Sequence, residues 1–208
     1  MVELGTILTY AAVVLGLFLI PGPAVLLVLG RAAAGGRRVG VATGLGIACG
    51  DLLHTAMATV GLSAVLMTSA LAFGIVKYAG AAYLIYLGVR ALLEKSGDLT
   101  LAPARLVDAP LAFRQAVLAE LLNPKTALFF LAFLPQFVRP GDGAVVLQLA
   151  LLGLVFSVMS AAYTALIAFA AAPLGRWLGQ HRGIGRWQGR IVGTIFLGLG
   201  IRLAFQER

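Results

Sequence analysis

Apolar residues run along this chain in long, nearly unbroken stretches; they neither alternate with period two nor trace the single stripe of a surface helix. Six stretches reach or approach the roughly 20 residues that a helix needs to cross a bilayer. They cover about Leu4–Leu29, Val41–Leu66, Ala70–Val89, Phe113–Pro135, Ala144–Ala172 and Ile191–Phe205. The last is the shortest, and Trp187 marks an alternative start for it. Hydrocarbon offers the backbone no hydrogen-bond partner, so each stretch is expected to be helical or enclosed among helices. Continuous apolar runs exclude the alternating strands of a membrane barrel. The first stretch follows Glu3, has no basic residue ahead of it and is longer than the core of a secretory signal, so it reads as a retained helix.

Composition agrees with this pattern and removes the soluble alternatives. Of 208 residues, 61% are hydrophobic and only 12% charged, and the mean hydropathy is +0.99. A soluble protein of this size needs far more polar surface. A disulfide scaffold is excluded by the single cysteine, Cys49, which sits in an apolar run. The net charge of +8 and pI of about 10.4 would suit a phosphate binder. The basic residues, however, punctuate the apolar stretches and form no soluble patch, so the expected partner is the lipid bilayer and not nucleic acid. No cofactor is expected, and the chain reads as a single polytopic transmembrane domain over residues 1–208.

The same basic residues orient the chain. Arg31, Arg37 and Arg38 fall in the first loop, Arg90, Lys95, Arg105 and Arg114 around the third, and Arg176, Arg182, Arg186 and Arg190 in the fifth. That is eleven of sixteen, against none in the second loop and only Arg139 in the fourth. Lysine and arginine favour the cytoplasmic side. The odd loops are therefore expected inside and both termini outside, in a cell inner membrane, with Arg202 and Arg208 as a small departure.

The longest connection, about Ala91–Ala112, contains Gly97, Pro103 and Pro110 and separates three spans from three. Two halves of three spans, about 1–92 and about 113–208 with a linker of about 93–112, cross in opposite senses if they are related. That is the inverted repeat of many secondary transporters. Pro21-Gly22-Pro23 interrupts the first span, and Asn123-Pro124-Lys125, about 102 residues later, interrupts the fourth, the first span of the second half. Proline removes a backbone donor and clashes one turn back, so each triplet is expected to break or kink its helix. Two ordinary kinks would explain the triplets without function. Matched breaks in two halves are instead the sequence mark of a transporter binding site.

Only two of eight carboxylates lie well inside spans, Asp51 and Glu120. Asp51 is placed near the midplane, where a carboxyl can take a proton from one side and release it to the other; a structural hydrogen-bonding role is the alternative. His54 follows three residues later on the same helical face, as a second proton-coupling candidate or a packed histidine. Histidine and carboxylate on one face also suit zinc or cadmium, but the remaining ligand set is thin, since Cys49 points elsewhere and His181 falls in a loop. Lys125 near mid-membrane costs about 2.5 kcal/mol or more if unpaired. Glu120 and Lys125, five residues apart across the break, either neutralise each other or meet the amine and carboxylate of a substrate; alternatively, Glu120 forms only an ion pair at the cytoplasmic interface. Lys77 can snorkel to headgroups. Tyr83 and Tyr86 share a face of the third span, and Tyr163 lies in the fifth. Gly40-x-x-x-Gly44, Gly46-x-x-x-Gly50 and Gly189-x-x-x-Gly193 have the spacing of close helix contacts.

These residues carry a resemblance. Pro21-Gly22-Pro23 is followed by Gly36-Arg37-Arg38-Val39-Gly40, then Gly50-Asp51-Leu52-Leu53-His54 and Lys77-Tyr78-Ala79-Gly80-Ala81-Ala82-Tyr83-Leu84 with Gly88. Leu122-Asn123-Pro124-Lys125 and the run Phe129–Phe137 complete the set. In that order, over the first two-thirds of the chain, they resemble the LysE/RhtB family of amino-acid exporters. The resemblance implies proton-driven export of a small hydrophilic amino acid or derivative, from a homodimer. It places Pro21, Gly22, Pro23, Asn123, Pro124 and Lys125 at the substrate site, with Glu120 and Tyr83 as further candidates, and makes Asp51 the coupling carboxylate. Glu120 departs from the family pattern, where an amide or small residue is more usual, and could favour a cationic side chain. A heavy-metal exporter using Asp51 and His54 is the competing expectation.

Overall fold

A computed structural model describes residues 2–19, 22–68, 70–93 and 106–180, together with scattered positions between 194 and 205. Six helices are described: α1 (Leu4–Leu19), α2 (Pro23–Thr68), α3 (Ala70–Leu93), α4 (Ala109–Leu121), α5 (Pro124–Ala132) and α6 (Val145–Gln180). Two short 3-10 turns, Leu134–Phe137 and Pro140–Asp142, join α5 to α6. No strand occurs among the described residues. The protein is an all-α membrane protein.

Both expected breaks are present. α1 stops at Leu19 and α2 starts at Pro23; α4 stops at Leu121 and α5 starts at Pro124, with a bend of 52°. The second restart has a local cause. Asn123 caps α5 by accepting from the backbone N–H of Lys125 at 3.1 Å, and Pro124 takes the first helical position, where a missing N–H costs nothing. α4 starts likewise, with Asp108 accepting from the N–H of Leu111 at 3.0 Å.

The segment expected to be a loop between the first two spans is instead helical almost throughout. Its one interruption is Gly36, whose φ of 78° and ψ of −179° suit glycine and break the helix. The reversal is sharp. A Cβ on Gly40 would meet the Cβ of Ala32 at 2.5 Å, although eight residues of straight helix would separate the two by about 12 Å. α2 is therefore a helical hairpin, residues 23–35 running against 37–68. Arg31 and Arg37 secure it. The Arg31 guanidinium donates to Gln115 Oε1 of α4 at 2.6 Å, and Arg37 lies 5.9 Å over the ring of Phe169 on α6.

By length and composition, two described helical stretches are apolar enough to cross a membrane, Pro23–Gly61, which includes the turn at Gly36, and Val145–Ala171, and the bent pair Ala109–Leu121 with Pro124–Phe137 makes a third. α1, at 16 residues or about 24 Å, falls short of the hydrocarbon thickness alone. Most of the expected sixth stretch lies outside the described residues.

Burial is arranged for an apolar solvent. On α6, Leu147, Leu151, Leu154 and Val158 point outward, while Gln148, Ser157, Ser160 and Thr164 are buried. On α2, Leu52, Leu53, Met57 and Val60 are exposed, and Thr43, Asp51, His54 and Thr55 face in. Water would reverse this preference; lipid tails do not. The buried hydroxyls bond to the preceding turn, as Thr43 does to the carbonyl of Val39 and Thr164 to that of Ser160.

α2 is the central element, packed between α6 and α4. Its glycines allow this. Gly44 lies against Thr164 of α6, and Gly46 against Ala116 and the carbonyl of Phe113 on α4. Gly50 meets the Glu120 side chain so closely that a Cβ there would lie 2.6 Å from the Glu120 Cβ. Both small-residue spacings that fall in described segments thus serve helix contact, one on each partner. The pair Gly189 and Gly193 lies outside the described residues.

Candidate functional site

The two breaks face a common small cavity of about 40 Å³, lined by α1, α2, α4, α5 and α6. Its polar lining is Asp51, Glu120, Asn123, Lys125, Thr126, Ser160, Tyr163 and Thr164, with Gly22 at the first break. Leu17, Phe18, Val25, Ile47 and Phe156 contribute apolar wall. The volume holds two or three water molecules and is far below that of a pocket for an organic ligand. The site as it stands has no room for an amino acid.

Each proline leaves a carbonyl four residues earlier without its helical donor, and each such carbonyl is served from elsewhere. Pro21 has no N–H to offer Leu17, and the Lys125 ammonium donates to the Leu17 carbonyl at 3.0 Å, across 108 residues of sequence. Pro124 has none to offer Glu120, and His54 Nε2 lies 3.0 Å from the Glu120 carbonyl. Because a carbonyl only accepts, that ring nitrogen must carry the proton. The Asn123 N–H also donates to the Glu120 carbonyl, at 3.0 Å. Buried acceptors left unserved would be costly, so these bonds hold the broken geometry in place.

The Asn123 side chain links the second break to its surroundings. Its amide NH₂ is 3.2 Å from both Glu120 carboxylate oxygens and from Thr126 Oγ1. The Lys125 side chain turns toward the first break, where a Cβ on Gly22 would lie 3.4 Å from its Cδ and Nζ. A side chain at 22 would thus stand in van der Waals contact with that ammonium.

Asp51 is 1% exposed, and neither of its carboxylate oxygens makes a hydrogen bond of ordinary geometry. Glu120 and Ser160 are the polar side chains that act on it, and Tyr10 from α1 is within its electrostatic reach. The Tyr10 hydroxyl is itself buried with no hydrogen-bond partner. Its ring packs edge-on against Phe137 at 5.1 Å.

The sequence-expected residues thus divide. Asp51, Gly22, Glu120, Asn123 and Lys125 line the cavity. His54 stands behind it, stacked on Phe130 at 5.8 Å and bonded to the Glu120 carbonyl. Pro23 and Pro124 open their helices on exposed positions outside the lining. Tyr83 is half-buried on α3, stacked with Tyr86 at 6.1 Å, and is not part of the lining. Pro21 and the Lys77 side chain lie outside what is described. Tyr10 and Ser160 were not anticipated. Ser157, Ser160 and Thr164, at helical spacing in an otherwise apolar run, are the signal that could have found the latter. Among the described residues no three of His, Cys, Asp and Glu come together as a metal-binding group.

Comparison with known proteins places this geometry. The sequence profile of the LysE type translocators matches residues 15–207. An uncharacterized membrane protein of Pseudomonas aeruginosa is 34% identical over 201 residues, 94% of this chain and 93% of the relative. An uncharacterized membrane protein of Bacillus subtilis is 30% identical over 206 residues, 95% and 97% of the two chains. The leucine efflux protein of Salmonella typhimurium is 28% identical over 199 residues, again 94% and 93%. No solved structure matches the chain. A profile spanning nearly the whole chain, on a helical membrane protein with a polar cavity between two broken helices, makes it a member of the LysE type translocator family.

Proposed function

We propose that this protein exports a small amino acid from the cytoplasm in exchange for protons, by alternating access around the cavity between the two helix breaks. The observation that carries the reading is the meeting of both breaks at one enclosed site holding two carboxyls and an ammonium, Asp51, Glu120 and Lys125. Such a site complements both ends of an amino acid. Lys125 receives the carboxylate, and Asp51 with Glu120 receives the ammonium. The apolar wall of Leu17, Phe18, Val25 and Ile47 accommodates an aliphatic side chain, in keeping with the leucine efflux named for a relative.

A cavity of about 40 Å³ admits no amino acid, so export requires the elements beside the breaks to part. In this reading the two halves, about 1–92 and about 113–208, form inverted three-span repeats that rock about the site. Both termini lie outside an inner membrane. The Arg31–Gln115 contact joins the first arm of the α2 hairpin, near its turn, to α4, and the ion pair of Glu3 with Arg139 at 3.8 Å joins the N-terminus to the fourth loop. Each pair is assigned to one membrane side by the loop charges. The transporter works as a homodimer, as its family resemblance implies.

The proton gradient is sufficient. An inward charge gains about 2.3 kcal/mol per 100 mV and a pH unit about 1.4 kcal/mol, enough for a concentration ratio of tens-fold or more per proton. Asp51 is the coupling carboxyl, with His54 holding the neighbouring backbone in register. In proteoliposomes loaded with mixed amino acids, an imposed proton gradient should drive selective efflux, and Asp51→Asn should abolish it. Undiminished gradient-driven efflux in that variant would refute the assignment.

A further inference from the structure

The orphaned carboxylate of Asp51 has a neighbour that the coupling reading leaves unused. Gly50, the residue before it, lets α4 approach so closely that the Glu120 side chain is packed directly against α2. Glu120 is 3% exposed and Asp51 1%, and the two carboxyls act on one another inside the same cavity. Among the described residues, the side chains facing this pair bring one cation, Lys125 from α5. The remaining groups are neutral donors or aromatic hydroxyls: Ser160 and Tyr163 from α6, Asn123 at the break, Tyr10 from α1. His54 of α2 is committed through Nε2 to the Glu120 backbone.

Two carboxylates side by side at low dielectric, with one ammonium in reach, leave an excess negative charge that one proton removes. We propose that Asp51 and Glu120 form a carboxyl pair that holds a single proton between them in the closed state, balanced by Lys125, so that Glu120 is half of the coupling site. The donor pattern agrees. The Asn123 amide reaches both Glu120 oxygens, whereas the polar side chains that act on Asp51 are Ser160 and Glu120 itself, neither in a hydrogen bond of ordinary geometry to its buried oxygens, as suits the partner that carries the proton.

The inference rests on the antiport reading and gives it a mechanism. When a substrate ammonium enters from the cytoplasm, it replaces the proton as the balancing positive charge, and the proton leaves to cytoplasmic water. After the substrate departs outward, the pair takes a proton from the outer side and can close again. A zwitterionic substrate adds no net charge, its carboxylate falling to Lys125, so the site carries one net negative charge from the proton's departure until its return, and the single exchangeable proton sets one proton per amino acid.

Infrared difference spectroscopy of the purified full-length protein reads a protonated buried carboxyl directly, through its C=O stretch. At neutral pH the wild type should show this band. Glu120→Gln should lose it, because Asp51 alone is then balanced by Lys125 as a carboxylate, and Asp51→Asn should lose it for the reciprocal reason. Survival of the band in Glu120→Gln would assign the proton to Asp51 alone and overturn the pair. Should Glu120→Gln fail to fold, Lys125→Met tests the same charge balance. Removing the ammonium should let the pair take up a second proton and enlarge the band, and an unchanged band would overturn the proposal. Proton-driven efflux by the wild type is measured separately. If efflux is not proton-driven while both single variants lose the band, antiport fails and the pair stands. If efflux is proton-driven and the band survives Glu120→Gln, the pair fails and antiport stands.

Discussion

The ammonium of Lys125 donates to the carbonyl of Leu17 at 3.0 Å, and Leu17 is the residue whose helical acceptor Pro21 cannot serve. One helix break therefore supplies the side chain that satisfies the other. This contact ties the end of α1 to the start of α5 beside the cavity. Removing the side chain as Lys125→Met should leave a buried carbonyl unserved, costing about 1–3 kcal/mol, and should reduce transport at least tenfold. Lys125→Arg keeps a donor at this position, so it should retain more stability than Lys125→Met; thermal stability of both variants in detergent measures the difference, and equal losses would show that the bond to the Leu17 carbonyl contributes nothing.

The second break offers the converse experiment. Pro124→Ala returns a donor for the Glu120 carbonyl and removes the residue that opens α5. The bend of 52° should relax and the protein should gain stability, while transport falls because the break no longer faces the cavity. Thermal stability and proteoliposome efflux on the same preparations check both halves of this outcome.

Helix contacts through glycine set a third expectation. A Cβ on Gly153 of α6 would collide with the side chain of Thr55 on α2, one turn beyond Asp51. Gly153→Val should force these helices apart and destabilise the protein by about 1–3 kcal/mol or more. Gly61, with nothing within 4 Å of a Cβ, is the control; Gly61→Ala should change stability little.

Arg139 gives a contrast among charges. Its ion pairs with Glu3 at 3.8 Å and Asp142 at 3.9 Å are largely exposed. Such pairs contribute less than about 1 kcal/mol, so Arg139→Ala should leave both stability and efflux within that range. A marked loss of efflux would assign the Arg139 loop a part in transport.

Much of this site could be read before folding was considered. The two proline triplets announced breaks because a missing N–H and a ring clash are local facts, independent of what packs nearby. Asp51 and Lys125 stood out because a charge deep in an apolar run is costly wherever the run is placed. The glycine spacings pointed to close contacts, although not to which helix each pair would touch. The loop expected around Arg31–Gly40 was misjudged, because a helix that folds back at a single glycine leaves no polar stretch to betray it. Tyr10 passed unnoticed in an apolar helix, and Tyr83, prominent by its motif, packs on Tyr86 away from the cavity lining.

Chain composition and the order of apolar runs were enough to establish a helical membrane protein, the positions of its two breaks and the few charges that must be accommodated, since each follows from solvent and covalent geometry acting on a short segment. Which groups accommodate one another was decided only in three dimensions. Lys125 meets Leu17 across 108 residues, His54 meets Glu120 across 66, and Asp51 acquires Glu120 because Gly50 lets two helices close to contact. Those pairings depend on the path of the backbone between distant segments, which no local pattern of residues encodes.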